Sequence, residues 1–378
     1  MTASAVPGAV RDPEAEGLGR RALLQRLGAF LDGLVVPAAA GLVSVVLFGG
    51  FVGLAGANPI EVYEQMYRGA FGTWFSAQNS LQRAAPLMLT GLCTALPARL
   101  GLTVIGGEGA LYVGGTAAAA VATHLGGAGP YAVLTVMALT SMVFGAFWIG
   151  AAGFLRAKRG VNETISSLLL SYIGIAVSNH LIEGVLRDPQ SLNKPSTLPI
   201  GEKNMLGPLP GLDVHYGLLY GVVACVVCWV LMDHSVFGFA ARIVGGNPRA
   251  ARLSGLAVPR LLVTVCAIAG AMAGLAGMIE VAAVHGNANA SLAAGYGYTG
   301  ILVAFLARHN PLGVIPVALV LGGISASGGL LQRTCNLPDA TVAVLQGILF
   351  VVILASETYR GKVDWFSRLA VGLKGAAT

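Results

Sequence analysis

Two carboxylates stand inside otherwise apolar runs of this chain: Glu108 in Gly106-Gly107-Glu108-Gly109 and Glu280 in Met278-Ile279-Glu280-Val281. An ionisable group at lipid depth is costly to bury and is a functional-site hypothesis by default. A carboxylate there can carry a proton or a cation, or it can accept hydrogen bonds from the N–H groups of an interrupted helix. The glycines around Glu108 let the backbone leave a helix and approach a ligand or a neighbouring helix. Glu108 therefore either pins a broken helix or lines a pathway. Glu280 lies toward one end of its run, where it can also reach water, and is followed by His285, Asn287 and Asn289. Tyr296 and Tyr298, in Gly295-Tyr296-Gly297-Tyr298, either stack on a planar ligand or belong to an interfacial aromatic belt. The candidate pathway residues are thus Gly106, Gly107, Glu108, Gly109, Asn287, Asn289, Tyr296 and Tyr298.

A second kind of chemistry is suggested by the polar interruption Gly245-Gly246-Asn247-Pro248-Arg249-Ala250-Ala251-Arg252-Leu253-Ser254-Gly255. Asn247 is a good N-cap, because its side-chain oxygen can accept from the orphan N–H groups of a first turn. Pro248 then falls at the first helical position, where its missing donor costs nothing. Gly255 supplies a left-handed residue to end the helix. A capped helix of about two turns between long apolar runs suits a docking knob for another protein.

Several chemistries are absent. There is no G-x-x-x-x-G-K-[ST] phosphate loop, no H-E-x-x-H and no soluble segment large enough for catalysis. No catalytic or metal site is expected, and any nucleotide hydrolysis belongs to another chain. Cys93, Cys225, Cys228, Cys266 and Cys335 are scattered, and the Cys225/Cys228 pair reads as one buried helix face rather than as a redox or metal site. No basic block is dense enough to suggest nucleic acid.

The elements that must position these residues are membrane helices. Of 378 residues, 55% are hydrophobic and 11% charged, against about 25% charged in soluble domains. Fifty-three glycines fit close helix packing in lipid, and Gly49–Gly53 and Gly270–Gly274 have the GxxxG spacing. Apolar runs of bilayer length fall at about 34–56, 85–99, 102–123, 130–153, 163–182, 216–233, 261–284, 297–307, 312–331 and 341–357. The reading is an all-α polytopic membrane protein of about ten transmembrane helices. Residues 85–99 and 297–307 are short and flanked by Gly or Pro, so broken or re-entrant helices are expected there. With the N-terminus inside, 17 of the 23 Lys and Arg residues fall on the cytoplasmic side, as the positive-inside rule requires. Both termini are then cytoplasmic: a tail over 1–28, a membrane domain over 29–360 and a second tail over 361–378. The coupling segment, about 242–260, faces the cytoplasm. Residues 57–83 read as an external amphipathic helix, and the proline-rich stretch 183–215 as an irregular external loop.

Four stretches together resemble the ABC-importer permeases of the branched-chain amino acid, ribose and nucleoside type. They are APLMLTGLCTALPARLGLTVIGGEGALYVGG (85–115), GFLRAKRGVNETISSLLLSYI (153–173), IVGGNPRAARLSGLAVPR (243–260) and GYGYTGILVAFLARHNPLGVIPVALVLGGI (295–324). Within that group the chain looks most like the nucleoside, or simple sugar, permeases. By the resemblance, Gly245, Gly246, Asn247, Ala250, Ala251, Leu253 and Gly255, with Arg249, form the segment that couples to an ATPase, and Asn162 and Glu163 match the preceding cytoplasmic motif. The pattern is not followed throughout. Val104 stands where nucleoside-type members carry Asn, Ala110 where they carry Gln, and Ser171 where they carry Asn.

The resemblance implies a permease subunit of a bacterial ABC importer in the inner membrane, moving a nucleoside, a purine-like compound or a simple sugar inward. It implies an ABC ATPase subunit as energy source, a second homologous permease (a heterodimer), and a substrate-binding lipoprotein or periplasmic protein. The chain itself would bind no cofactor, ATP being used by the partner, and would meet membrane lipid but no nucleic acid. Two rival readings differ in class. One is a self-contained secondary transporter with proton coupling through Glu108 and Glu280; the other is a membrane-embedded enzyme, against which stands the lack of nucleophile, base and metal ligands at one depth.

Overall fold

The computed structural model describes residues 39–125 and 129–359. The two tails expected over 1–28 and 361–378 lie outside the described residues. Two compact units are present. Of the described residues, 52–346 belong to one, and 39–51 with 347–359 belong to the other. The described residues are helical apart from turns, irregular connections and isolated β-bridges, as the all-α reading requires.

In chain order the helices are α1 (Ala39–Leu54), α2 (Pro59–Tyr67), α3 (Trp74–Ala98), α4 (Gly107–His124), α5 (Pro130–Arg159), α6 (Glu163–Glu183), α7 (Gly217–Asp233), α8 (Val236–Gly246), α9 (Pro248–Leu253), α10 (Val258–Ile279), α11 (Tyr296–Leu306), α12 (Pro311–Thr334) and α13 (Ala340–Tyr359). Among the described residues four stretches, α5, α6, Val258–His285 and α12, are each long and apolar enough to cross a bilayer. The number is six if each bent pair counts as one span, the pairs being Ala39–Leu54 with Pro59–Gly72 and α7 with α8.

Local signals set most of the boundaries. Asn58, Thr73, Asn162, Ser235, Asn247 and Asn310 all accept backbone N–H groups of the helices they precede. Proline follows at the first position of α2, α9 and α12. Helix α5 carries Arg156, Lys158 and Arg159 in its last turn, where the helix dipole favours cations, and stops at the left-handed Gly160 (φ 69°).

Two expectations are corrected. Residues 85–99 are not a short broken span but the later part of the 25-residue α3, which carries Pro86 and Pro97 inside it. Its first turns hold Gln78, Ser80, Gln82 and Arg83, so a window of hydropathy begins the helix too late. Residues 57–83 are not one external helix. They break at a π-turn over Arg68–Gly72, after which Thr73 starts α3. Tertiary packing decides this: Ser80 Oγ donates to the Ala70 carbonyl at 2.6 Å, and Gly69 and Phe71 lie against Ser327 and Gly323 of α12.

The centre of the larger unit is α10. The apolar stretch that it opens, Val258–His285, is 72% buried, against 28–44% for α5, α6 and α12, which leaves those three with an exposed outer side. Small residues make the burial possible. A Cβ at Gly274 would land on the Ser141 carbonyl of α5, and Gly114 of α4 packs on the other side of Gly274. The Gly270–Gly274 pair is thus a true close crossing of the kind small residues allow in lipid. At Gly53, by contrast, only Pro59 comes within 4 Å. Cys93, Cys225, Cys228 and Cys266 are buried and unbridged, and the Cys225/Cys228 pair lies on the inner face of α7.

Candidate functional site: a carboxylate-pinned helix junction and a capped helix at the basic end

Two helices begin in the interior of the larger unit. Helix α4 starts at Gly107 after an extended approach over 102–105, and no side chain of its own caps it. Its donors are met from α6 instead: the Ile105 N–H donates to Ser167 Oγ at 3.1 Å and the Gly109 N–H to Ser171 Oγ at 2.7 Å. Gly106 and Gly109 fit this crossing because a Cβ at either would strike the backbone of Ser167 or Ser171.

Helix α11 begins against the same place. Glu108, 1% exposed, accepts the Gly295 N–H on Oε1 at 2.7 Å and the Gly297 N–H on Oε2 at 2.5 Å. Both oxygens act as acceptors toward the positive pole of a helix N-terminus. Gly107 and Gly297 lie face to face, and a Cβ at Gly297 would collide with the Glu108 backbone. The Tyr296 carbonyl accepts from Thr90 Oγ1 of α3 at 3.0 Å. Of the two readings of Glu108, pinning a broken helix is the one its geometry serves. Helix α11, eleven residues long, is short as expected of 297–307.

The other pathway candidates are divided between this junction and a different region. Tyr298 projects outward and is 39% exposed. Asn287 and Asn289 belong to a turn after α10, joined by Asn289 Nδ2 to Asn287 Oδ1 at 2.7 Å. That turn is stitched to the irregular loop after α6. The Thr197 N–H donates to the Ala288 carbonyl at 2.9 Å, and Thr197 Oγ1 accepts the Ala288 N–H at 3.0 Å. Glu280 is buried, with His285 Nδ1 3.7 Å from its carboxylate. It therefore does not reach out to water as its position in the run allowed.

At the end of the molecule where the arginines gather, the expected short helix is present as α9. Asn247 Oδ1 accepts the N–H groups of Arg249 and Ala250 at 3.0 and 3.1 Å, Pro248 opens the helix, and Gly255 has φ 83°. Arg249, Ala250 and Leu253 face outward, Leu253 being 91% exposed, whereas Ala251 is 0% exposed and seats the helix on the chain beneath. Gly245 also faces inward, against the Arg99 carbonyl. Gly246 is exposed. A cavity of about 330 Å³ lies beneath, bordered by Leu100, Gly101, Arg156, Val244, Pro248 and Leu262 among others. Asn162 caps α6 by accepting from Thr164 and Ile165, and Glu163 pairs with Arg156 at 3.3 Å.

Sequence reasoning missed one cluster here. Asp233, the last residue of α7, receives Arg99 at 3.2 and 3.4 Å through both guanidinium nitrogens, and Arg242 of α8 at 3.0 Å. The position of Arg99 at a span end was the only signal, because its partner is 134 residues away.

A polytopic helical protein whose short inner helix is pinned by a carboxylate, and which presents a capped helix at its basic end, has the build of a transport permease. The chain belongs to the family described as the branched-chain amino acid transport system permease component, whose family model matches residues 76–354. It is 33% identical to the glucose ABC transporter permease protein of Haloferax volcanii, over 84% of each chain. It is 30% identical to the guanosine ABC transporter permease protein of Bacillus subtilis, over 87% of this chain and 95% of that one. With the nucleoside ABC transporter permease protein of Lactococcus lactis the identity is 27%, over 81% and 87%. The protein is a permease subunit of an ABC importer, a multi-pass membrane protein that works with an ATPase and a substrate-binding partner.

Proposed function

We propose that the chain carries a neutral small solute, a nucleoside, purine-like compound or simple sugar, inward across the inner membrane. Relatives named for guanosine, nucleosides and glucose support that range. In this reading the subunit is non-catalytic and binds no cofactor. It pairs with a second, homologous permease, and a lipoprotein or periplasmic protein delivers the solute outside. The basic end faces the cytoplasm, with both termini on that side. There the segment from Gly245 to Gly255, with Asn162 and Glu163 beside it, receives the ATPase. Gly106 to Gly109 and Tyr296 to Tyr298 border the pathway, and Asn287 and Asn289 lie at its outer end. Glu108 acts as a pin, and its two occupied oxygens leave it poorly suited to ferry protons. No observation favours the secondary transporter.

The observation that carries the docking reading is α9 as a whole, a short helix capped by Asn247 and closed at Gly255 that turns Arg249, Ala250 and Leu253 outward. Leu253→Asp should leave the permease inserted and folded but abolish co-purification with the ATPase subunit and uptake of guanosine or glucose by the reconstituted transporter. Normal ATPase binding in that variant would refute the dock.

A further inference from the structure

The cluster around Asp233 joins four elements at the basic end. Arg99 closes α3 and holds Asp233 with two nitrogens, while its Nε donates to the His309 carbonyl at 3.0 Å. His309 lies in the turn between α11 and α12, where Arg308 and His309 both take left-handed φ values of 55°. Left-handed backbone at two successive non-glycine residues is held by its surroundings rather than chosen locally. Arg242 of α8 donates to Asp233 at 3.0 Å and to the Met232 carbonyl at 3.1 Å.

Two features turn this cluster into a linkage. Gly245, at the end of α8, is packed so closely on the Arg99 backbone that no side chain would fit. The segment carrying α9 therefore rests directly on the turn that follows α3. That turn has open volume on both sides: the cavity of about 330 Å³ beneath α9, and another of about 170 Å³ between Thr94, Gly101, Phe305 and His309. It has room to shift while its ion pairs hold. Helix α11 is then tied at both ends, to Arg99 beyond its C-terminus and to Glu108 at its N-terminus. Its eleven residues span about 16 Å at 1.5 Å per residue, so it acts as a short strut from the basic end to the interior junction.

We propose that Asp233 is a positioning residue for transport, transmitting displacement of α8 and α9 through Arg99 to α11 and so to the Glu108 junction. Asp233 holds two guanidinium groups together. Without its charge the two repel each other, α8 slides independently of α3, and α11 no longer follows the ATPase. Isosteric Asp233→Asn breaks the charge, whereas Asp233→Glu preserves it.

This inference rests on the reading of α9 as the ATPase dock, and the test separates the two. The permease is combined with its ATPase subunit, with Cys335→Ser and spin labels at Tyr131→Cys on α5 and Leu306→Cys on α11. The distance between the labels is measured with and without ATP. The unsubstituted linkage should show an ATP-dependent shift. Asp233→Asn should keep the ATPase bound and lose the shift, and Asp233→Glu should recover it. An unchanged shift in Asp233→Asn overturns the linkage, as does the absence of any shift in the parent or loss of ATPase binding in Asp233→Asn. Retention of the ATPase by Leu253→Asp instead overturns the dock.

Discussion

Replacing Glu108 by Gln keeps the shape of the side chain and changes only what its second oxygen offers. In the structure both oxygens accept, from Gly295 N–H at 2.7 Å and Gly297 N–H at 2.5 Å. A carboxamide can accept only one of these and turns an NH₂ toward the other. A hydrogen bond to a charged group contributes about 1.5–3 kcal/mol, and a stranded buried donor costs about 1–3 kcal/mol. The two terms overlap, because breaking the bond is what strands the donor, so a total of about 2–4 kcal/mol is expected. The loss should appear as reduced stability of the purified permease to SDS unfolding in mixed micelles. A companion variant, Gly297→Ala, attacks the same junction sterically, since a Cβ there collides with the Glu108 backbone. Both should be destabilised. If Glu108→Gln changes stability by less than about 0.5 kcal/mol, the range of an ordinary surface substitution, while Gly297→Ala is crippled, the junction is steric and the carboxylate does not pin α11.

Three further outcomes are expected. Asn247→Ala removes the acceptor for two N–H groups of α9, should cost about 1 kcal/mol of local helix stability, and should weaken ATPase affinity without abolishing it, as titration of the ATPase subunit would show. Gly274→Val forces a side chain into the Ser141 backbone and should destabilise the α5–α10 crossing by at least the 1–3 kcal/mol (roughly) typical of overpacking, visible as a lower melting temperature in detergent. His215, in the loop before α7, is buried against the Gln82 backbone, and burial holds its imidazole below the ordinary value of 6.5, which the Gln82 contact offsets only in part. As pH falls below 6.5 the unfolded loop takes up a proton first, so the stability from burying the neutral ring is full above that pH and declines below it, until the lowered folded value is reached. Limited proteolysis of the loop over 184–216 should accelerate with acidification, and His215→Phe should reduce that pH dependence.

How far the sequence reached depended on the range of the interaction concerned. Asn247, Pro248 and Gly255 act on backbone groups within a few residues, so the α9 helix could be read directly and is found with those caps. The apolar content required lipid as the solvent, and unbroken apolar runs of bilayer length required helices rather than the alternating strands of a barrel. The start of α3 could not be read, because polar residues such as Gln78 and Ser80 lower the local hydropathy while tertiary packing buries them. Ser171 stood out only as a departure from the Asn of related permeases, and nothing singled out Ser167, yet both meet donors at the start of α4 from a neighbouring helix. Ala251 was grouped with the docking residues because a motif carries no facing direction; the fold turns it inward.

By itself, the sequence determined the solvent, the class of secondary structure, the capped helix and the presence of a costly interior carboxylate. Only the tertiary structure decided what that carboxylate holds and what Arg99 holds. Glu108 and its two partners are 187 and 189 residues apart, and Arg99 and Asp233 are 134 apart. Caps and composition act through the chain's nearest neighbours, whereas these pairs exist only once the helices have packed and brought distant polar groups together away from water.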